Sequence, residues 1–136
     1  MNQRPLLLFV EAKAHIPELA SPASRATPAS MEMIAKSLAE AKHHFAPKAT
    51  ADWGGLFYQY ANRLAHHYLL RYVNRLPAHL VFMHFLNAED VKGPRSELEW
   101  RGAIRLLHAA LGLRDDFDPY VHDVFLDVAQ MNAAAA

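Results

Sequence analysis

Residues 6–14 read LLLFVEAKA, five apolar residues that pass into alternation at Glu11. A run this short cannot cross a membrane, which takes about 20 apolar residues as a helix. It is strand-sized, and a continuous apolar start is the mark of a strand covered on both faces. The sequence therefore predicts a strand buried in its first half, with a polar exit at Glu11 and Lys13. Such strands belong to α/β folds, in which helices alternate with strands around a sheet containing parallel pairs.

The rest of the 136-residue chain supplies those helices and two further strands. Residues 17–30 hold three prolines and read as a loop. Thr27-Pro28 then reads as a helix cap followed by proline at the first helical position. Met31, Ile34, Ala35, Leu38 and Ala39 form a stripe on this helix, which ends near Phe45. Trp53-Gly54-Gly55 breaks a second loop. From Leu56 to Leu76 apolar residues recur at helical spacing, and Pro77 stops the run. Ala78–Leu86 is β-branched and aromatic and predicts a central strand. A third helix follows Gly93-Pro94, with Ser96 as cap, Trp100, Ile104, Leu107 and Leu111 on its buried side, and Gly112 closing it. Pro119–Val128 alternates and predicts the last strand. The expected fold is a single α/β domain over residues 1–130, with a small mixed sheet flanked by helices in the order β-α-α-β-α-β. Residues 131–136 are expected to be a frayed or disordered tail. Three strands make a thin sheet, so an edge is expected to be covered by a partner chain, and a homodimer or higher oligomer is expected.

Composition narrows the function. Lys and Arg number 14 and Asp and Glu 14, so the chain carries no bulk charge and any nucleic acid must be held by a local basic face. Arg63, Arg71 and Arg75, with His67 between them, are the candidate. There is no cysteine, no signal-peptide pattern and no membrane span in the sequence, so a cytoplasmic protein without membrane partners is expected. Glycine-rich phosphate loops, a nucleophile elbow and H-E-x-x-H are all absent.

The candidate chemistry starts at Glu11-Ala12-Lys13. Residues two apart on a strand point the same way, so a carboxylate and an ammonium leave the strand end together. That pair suits hydrolysis of a phosphodiester: the carboxylate for a hard cation, the lysine for charge on the phosphate. Gln59, Asn62 and His66, with Arg63 at the edge, form a polar sector on the long helix, placed to bind substrate or position water. Asp123 on the last strand is a possible second carboxylate. Paired with Glu11, it would permit acid–base chemistry on another substrate such as a glycoside.

The segments LFVEAKAH, SPASRA, FYQYANRLAHHYLL, LVFMHFLN and PYVHDVFLDV, taken in order, resemble the PD-(D/E)XK nuclease-like superfamily, in particular an uncharacterised bacterial group. The resemblance spans Leu6 to Val128. It implies a core of helix, three strands, helix and strand, and a metal-dependent hydrolase of phosphodiesters. It implies Glu11 as an acidic ligand of Mg²⁺ or Mn²⁺, the Ala12 carbonyl as a further ligand, Lys13 as the catalytic lysine and Gln59 as the polar residue of the following helix. The family's other metal acid, an aspartate on the preceding strand, has no counterpart among residues 1–10, so the implied metal site is incomplete. A catalytically inactive, homo-oligomeric binding module is the alternative expectation.

Overall fold

The computed structural model describes residues 5–20 and 27–135. Three strands, β1 (Leu7–Lys13), β2 (Ala78–Leu86) and β3 (Val121–Asp127), form one sheet in the order β1-β2-β3. Four helices accompany them: α1 (Pro28–Phe45), α2 (Tyr58–Tyr68), α3 (Glu97–Leu111) and α4 (Val128–Ala135). The alternation of elements is the one read from the sequence, and β2 is the central strand. Both strand pairings are parallel, however, so the sheet is not mixed. Ser21 to Ala26, the whole of the segment SPASRA, lies outside the described residues.

Local chemistry sets the element ends. Thr27 caps α1 by accepting from the Ser30 amide at 3.3 Å, with Pro28 opening the helix. Ser96 does the same for α3 through Glu99, and Gly112 ends it at φ +76°. The long helix expected over 56–76 changes pitch instead. Regular α-helix stops at Tyr68, and Leu69–Val73 form a π-turn closed by the Asn74 amide on the Leu69 carbonyl. Residues 131–135, expected to fray, belong to α4, which packs along β2 and β3 without burying any residue.

Register decides which side chains enter the core. Phe9, Leu80 and Val121 lie in one row of the sheet, and Glu11, Phe82 and Asp123 in the next. This face carries the core: Leu80 and Phe82 join Leu38, Ala41 and Phe45 of α1, Ala61 and Leu64 of α2, and Trp100, Ile104 and Leu107 of α3. The opposite face is different. Leu8, Val10, Val81, Met83, Phe85, Val124 and Leu126 are all outside the core cluster. Leu8 is 56% exposed and Val10 48%. The first strand is therefore not covered on both faces, as its apolar run predicts. The chain order explains why. Two successive crossovers move in the same direction across a parallel sheet, and right-handed connections then put their helices on the same side.

The predicted stripe of α1 is only partly core. Leu38 is buried, while Met31, Ile34, Ala35 and Ala39 line a cavity of about 220 Å³ against Trp53 and Tyr58. Ala41 and Phe45, seven residues on from Ile34 and Leu38, carry the same stripe into the core with Leu38.

Two glycines separate backbone constraint from helix propensity. A Cβ on Gly93 would stand 2.3 Å from the Ala14 carbonyl oxygen, because the β2–α3 connection passes directly over the exit of β1. Gly102 lies within α3 with nothing within 4 Å of an added Cβ. In urea unfolding, Gly93→Ala is expected to cost about 2 kcal/mol through this overpacking. Gly102→Ala is expected to gain about 0.5–1 kcal/mol through lost unfolded-state freedom. Equal effects would contradict the close approach.

Candidate active site

β1 runs into the site along its odd-numbered residues. Phe9, Glu11 and Lys13 all point to the helix-covered face, beside Leu80, Phe82 and His84 of β2. The expected juxtaposition of Glu11 and Lys13 is present: Lys13 Nζ donates to Glu11 Oε1 at 3.0 Å. Lys13 is 7% exposed, so its charge is held by this contact rather than by water. The second carboxylate oxygen, Oε2, accepts from Arg63 Nε of α2. Glu11 is thus gripped by two cations, and the trio carries one net positive charge.

α2 supplies the lid of this niche. Arg63 lies over the Phe9 ring, 5.5 Å from its centroid, and His66 meets the same ring edge-on at 5.9 Å. The polar sector read from the sequence therefore does face β1 through Arg63 and His66. Asn62 is half-buried on the same sector, and Gln59 and His66 are exposed. Arg71 and Arg75 do not continue it as a basic face. Arg71 donates to the Ala78 carbonyl at 2.8 Å and covers the Tyr120 ring, and His67 is buried at 1% exposure. Among the described residues, the three arginines and His67 form no continuous exposed strip.

Glu18 fixes the exit of β1, and the sequence reading missed it. Its Oε2 accepts from the Ala14 amide at 2.7 Å and from the His15 amide at 2.9 Å. Burial works against its charge, but the His15 and Ala14 hydrogen bonds prevail and hold the carboxyl below its usual range. The signal was present as a capping-box spacing, with His15 three residues before Glu18.

Asp123 does not pair with Glu11. The two occupy the same row with Phe82 between them, so their strands are separated by two spacings, about 10 Å. Tyr60 stacks on Phe82 at 4.4 Å and closes the gap from above. Asp123 instead accepts from His84 Nε2 at 2.8 Å. His84 is 1% exposed, and its Nδ1 has no hydrogen-bond partner. The other side of Asp123 borders a cavity of about 130 Å³ with Arg101, Arg105, His108 and Asp115. His108 Nδ1 bonds Asp115 at 2.9 Å, and its Nε2 bonds the buried Tyr60 hydroxyl at 2.9 Å. Burial, then the charges of Asp123 and Asp115, raises the Tyr60 phenol well above its ordinary value.

The donor set does not fit a divalent cation as arranged. Among the described residues no three His, Asp or Glu side chains converge on a point where an ion would sit. Glu11, the one carboxylate expected to ligate, has both oxygens on cations. The Ala12 carbonyl points away from β2: the Leu7 amide bonds Pro77, so odd residues face β2 and even residues face the free edge.

A second buried polar group anchors the opposite end of the sheet. Asp118 accepts from the Tyr72 hydroxyl at 2.5 Å and from the Tyr120 amide at 2.6 Å, and His67 lies 3.5 Å away. The π-turn carries Tyr72, the donor in this group.

Comparison with protein-family models, curated proteins and solved structures yields no match for this chain. No helix among the described residues is long and apolar enough to cross a membrane.

The Asp118 group gives a pH test. Burial raises the Asp118 carboxyl, but the bonds from His67, Tyr72 and Tyr120 outweigh it and leave its pKa lowered. A lowered carboxylate stabilises the fold above its unfolded value, about 3.9, and that stabilisation is lost as pH falls through the folded value. Asp118→Asn is expected to cost about 1–3 kcal/mol at pH 7. The gap between the two proteins should be flat above about pH 5 and narrow below about pH 4. A gap that widens on acidification would refute the assignment.

Proposed function

We propose that this chain is a nuclease-like domain that takes a phosphodiester of nucleic acid at the Glu11–Lys13–Arg63 niche and hydrolyses it. The observation that carries the reading is that two cations from different elements converge on one carboxylate at the exit of β1. A phosphate is the other common anion that such a fork binds. The guanidinium gives it two parallel bonds, and the ammonium adds a point charge. When phosphate takes the carboxylate's place on Arg63, Glu11 is released as a proton acceptor. Water then attacks phosphorus, its proton passes to Glu11, and the leaving oxygen is protonated from Lys13. Lys13 and Arg63 meanwhile offset the charge that builds on the phosphoryl oxygens.

The ordered resemblance to PD-(D/E)XK nucleases supports the same substrate class, although the helix, three strands, helix and strand it implies differ from the β-α-α-β-α-β order of this chain. A restriction-endonuclease-like core remains part of this proposal. Asn62 and His66 flank the niche as substrate contacts, with Gln59 on the same sector. No step is routed through Mg²⁺ or Mn²⁺, whose ligand set the described side chains do not complete. One observation favours a second reading, a binding module without catalysis: both Glu11 oxygens are engaged, which leaves no free base until a ligand displaces Arg63. The intervening Phe82 disfavours a Glu11–Asp123 pair acting on a glycoside.

Fluorescence anisotropy with a labelled 16-nucleotide duplex, and gel assays of its cleavage with Mg²⁺, with Mn²⁺ and with chelator, test both readings. Arg63→Ala and Lys13→Ala are each expected to weaken binding about tenfold, as loss of a charge-assisted contact does. Glu11→Gln is expected to bind at least as well as the wild type and to cleave nothing. Binding without cleavage under every condition selects the module reading. Absence of binding at low salt, or binding unmoved by either cation variant, overturns the site.

A further inference from the structure

β1 is an edge strand, hydrogen-bonded to β2 alone among the described residues. The alternation fixed by Leu7 and Pro77 aims the amides and carbonyls of Leu8, Val10 and Ala12 out of the sheet. The side chains beside them are apolar and open: Leu6, Leu7, Leu8 and Val10 are between 40% and 57% exposed. Edge strands are ordinarily blunted by charge, proline, a bulge or a covering element. The other edge follows that rule. β3 carries Asp123 and Asp127, and α4 packs along it. From Leu6 to Val10 β1 carries no charge, no proline and no bulge in its register with β2.

A row of unmet backbone groups is completed by another strand, and its register must match the side chains. We infer that β1 pairs antiparallel with β1 of a second copy about a two-fold axis through Phe9, making one six-stranded sheet. This register sets Leu8 opposite Val10 of the partner subunit and Val10 opposite the partner's Leu8. Both members of each pair have outward backbone groups, so four hydrogen bonds form across the axis. Phe9 faces its own copy in the close, non-hydrogen-bonded position, where aromatic pairs are favourable. Glu11 falls opposite the partner's Leu7, so no like charges meet. Centring the pair on Glu11 would oppose two carboxylates, and centring it on Val10 would set Phe9 against a carboxylate. The Phe9-centred register is thus favoured over these two, and the strand's self-complementary side chains point to a second copy as its occupant. The axis lies beside the phosphodiester niche, since the Phe9 ring at its centre also carries Arg63 and His66.

Sedimentation equilibrium of the full chain between 1 and 200 µM tests this, read together with hydrogen exchange of the β1 amides. A species of twice the 15.3 kDa chain mass is expected, with the Val10 amide protected in proportion to dimer. Val10→Pro removes only an outward amide and spares the β1–β2 ladder, since proline is tolerated on that side of an edge strand. It should raise the dimer dissociation constant at least tenfold without changing the circular dichroism spectrum. Leu8→Lys should do the same if Val10→Pro alters the spectrum. A monomer throughout the range, a dimer unmoved by both variants, or a protected Val10 amide in a monomer would each overturn the proposal. The last would mean that another segment of the chain occupies the edge.

Discussion

The hydrogen bond from the Leu7 amide to the Pro77 carbonyl sets the parity of β1, and parity decides the fate of every residue on that strand. With Leu7 turned toward β2, Phe9, Glu11 and Lys13 share the face that α1, α2 and α3 cover. A slip of one residue would send Glu11 and Lys13 to the bare face and bring Leu8 and Val10 inward. That slip would take two aliphatic side chains out of water but expose the Phe9 ring, which packs against the core. The observed register instead buries a lysine and a glutamate and exposes a leucine and a valine. The compensation is Arg63, which α2 brings down onto Glu11, and Phe9, which supplies a ring to both Arg63 and His66.

The same strand order gives the domain its asymmetry. Because β1, β2 and β3 follow one another in one direction, their crossover helices lie on one side. The reversal of strand order that places helices on both sides of larger α/β sheets does not occur. One face and one edge of the sheet are left apolar and open, while the buried face carries an unusual share of polar pairs. The Glu11 trio, His84 with Asp123, Tyr60 with His108, and Asp118 with Tyr72 all lie on or beside it. Each needs its partner in place, so these pairs specify one packing of the helices more sharply than apolar contacts alone do.

Element type and order were legible because their signals are local. Thr27-Pro28, Ser96 and Gly112 mark helix ends by backbone chemistry that no tertiary contact needs to supply. The companionship of Glu11 and Lys13 was legible for the same reason, since strand alternation is a two-residue rule. What the sequence hid depends on contacts between distant segments. The run from Leu6 to Val10 reads as doubly buried, because apolar composition does not say whether a neighbouring strand or helix will be there. Arg63, Arg71 and Arg75 read as a basic face, because helical spacing does not reveal that Glu11 and the Tyr120 ring stand opposite two of them. Asp123 reads as a possible mate for Glu11 until the intervening β2 places Phe82 between them and offers His84 instead.

The account rests on the clamp between strand and helix at Glu11 and Arg63. A double-mutant cycle measures it directly: urea unfolding of the wild type, Glu11→Gln, Arg63→Gln and the double variant. The clamp predicts non-additive losses, with a coupling of about 1 kcal/mol or more favouring the native pair. Losses that add to within about 0.3 kcal/mol would mean the two side chains do not meet, and the niche would not exist.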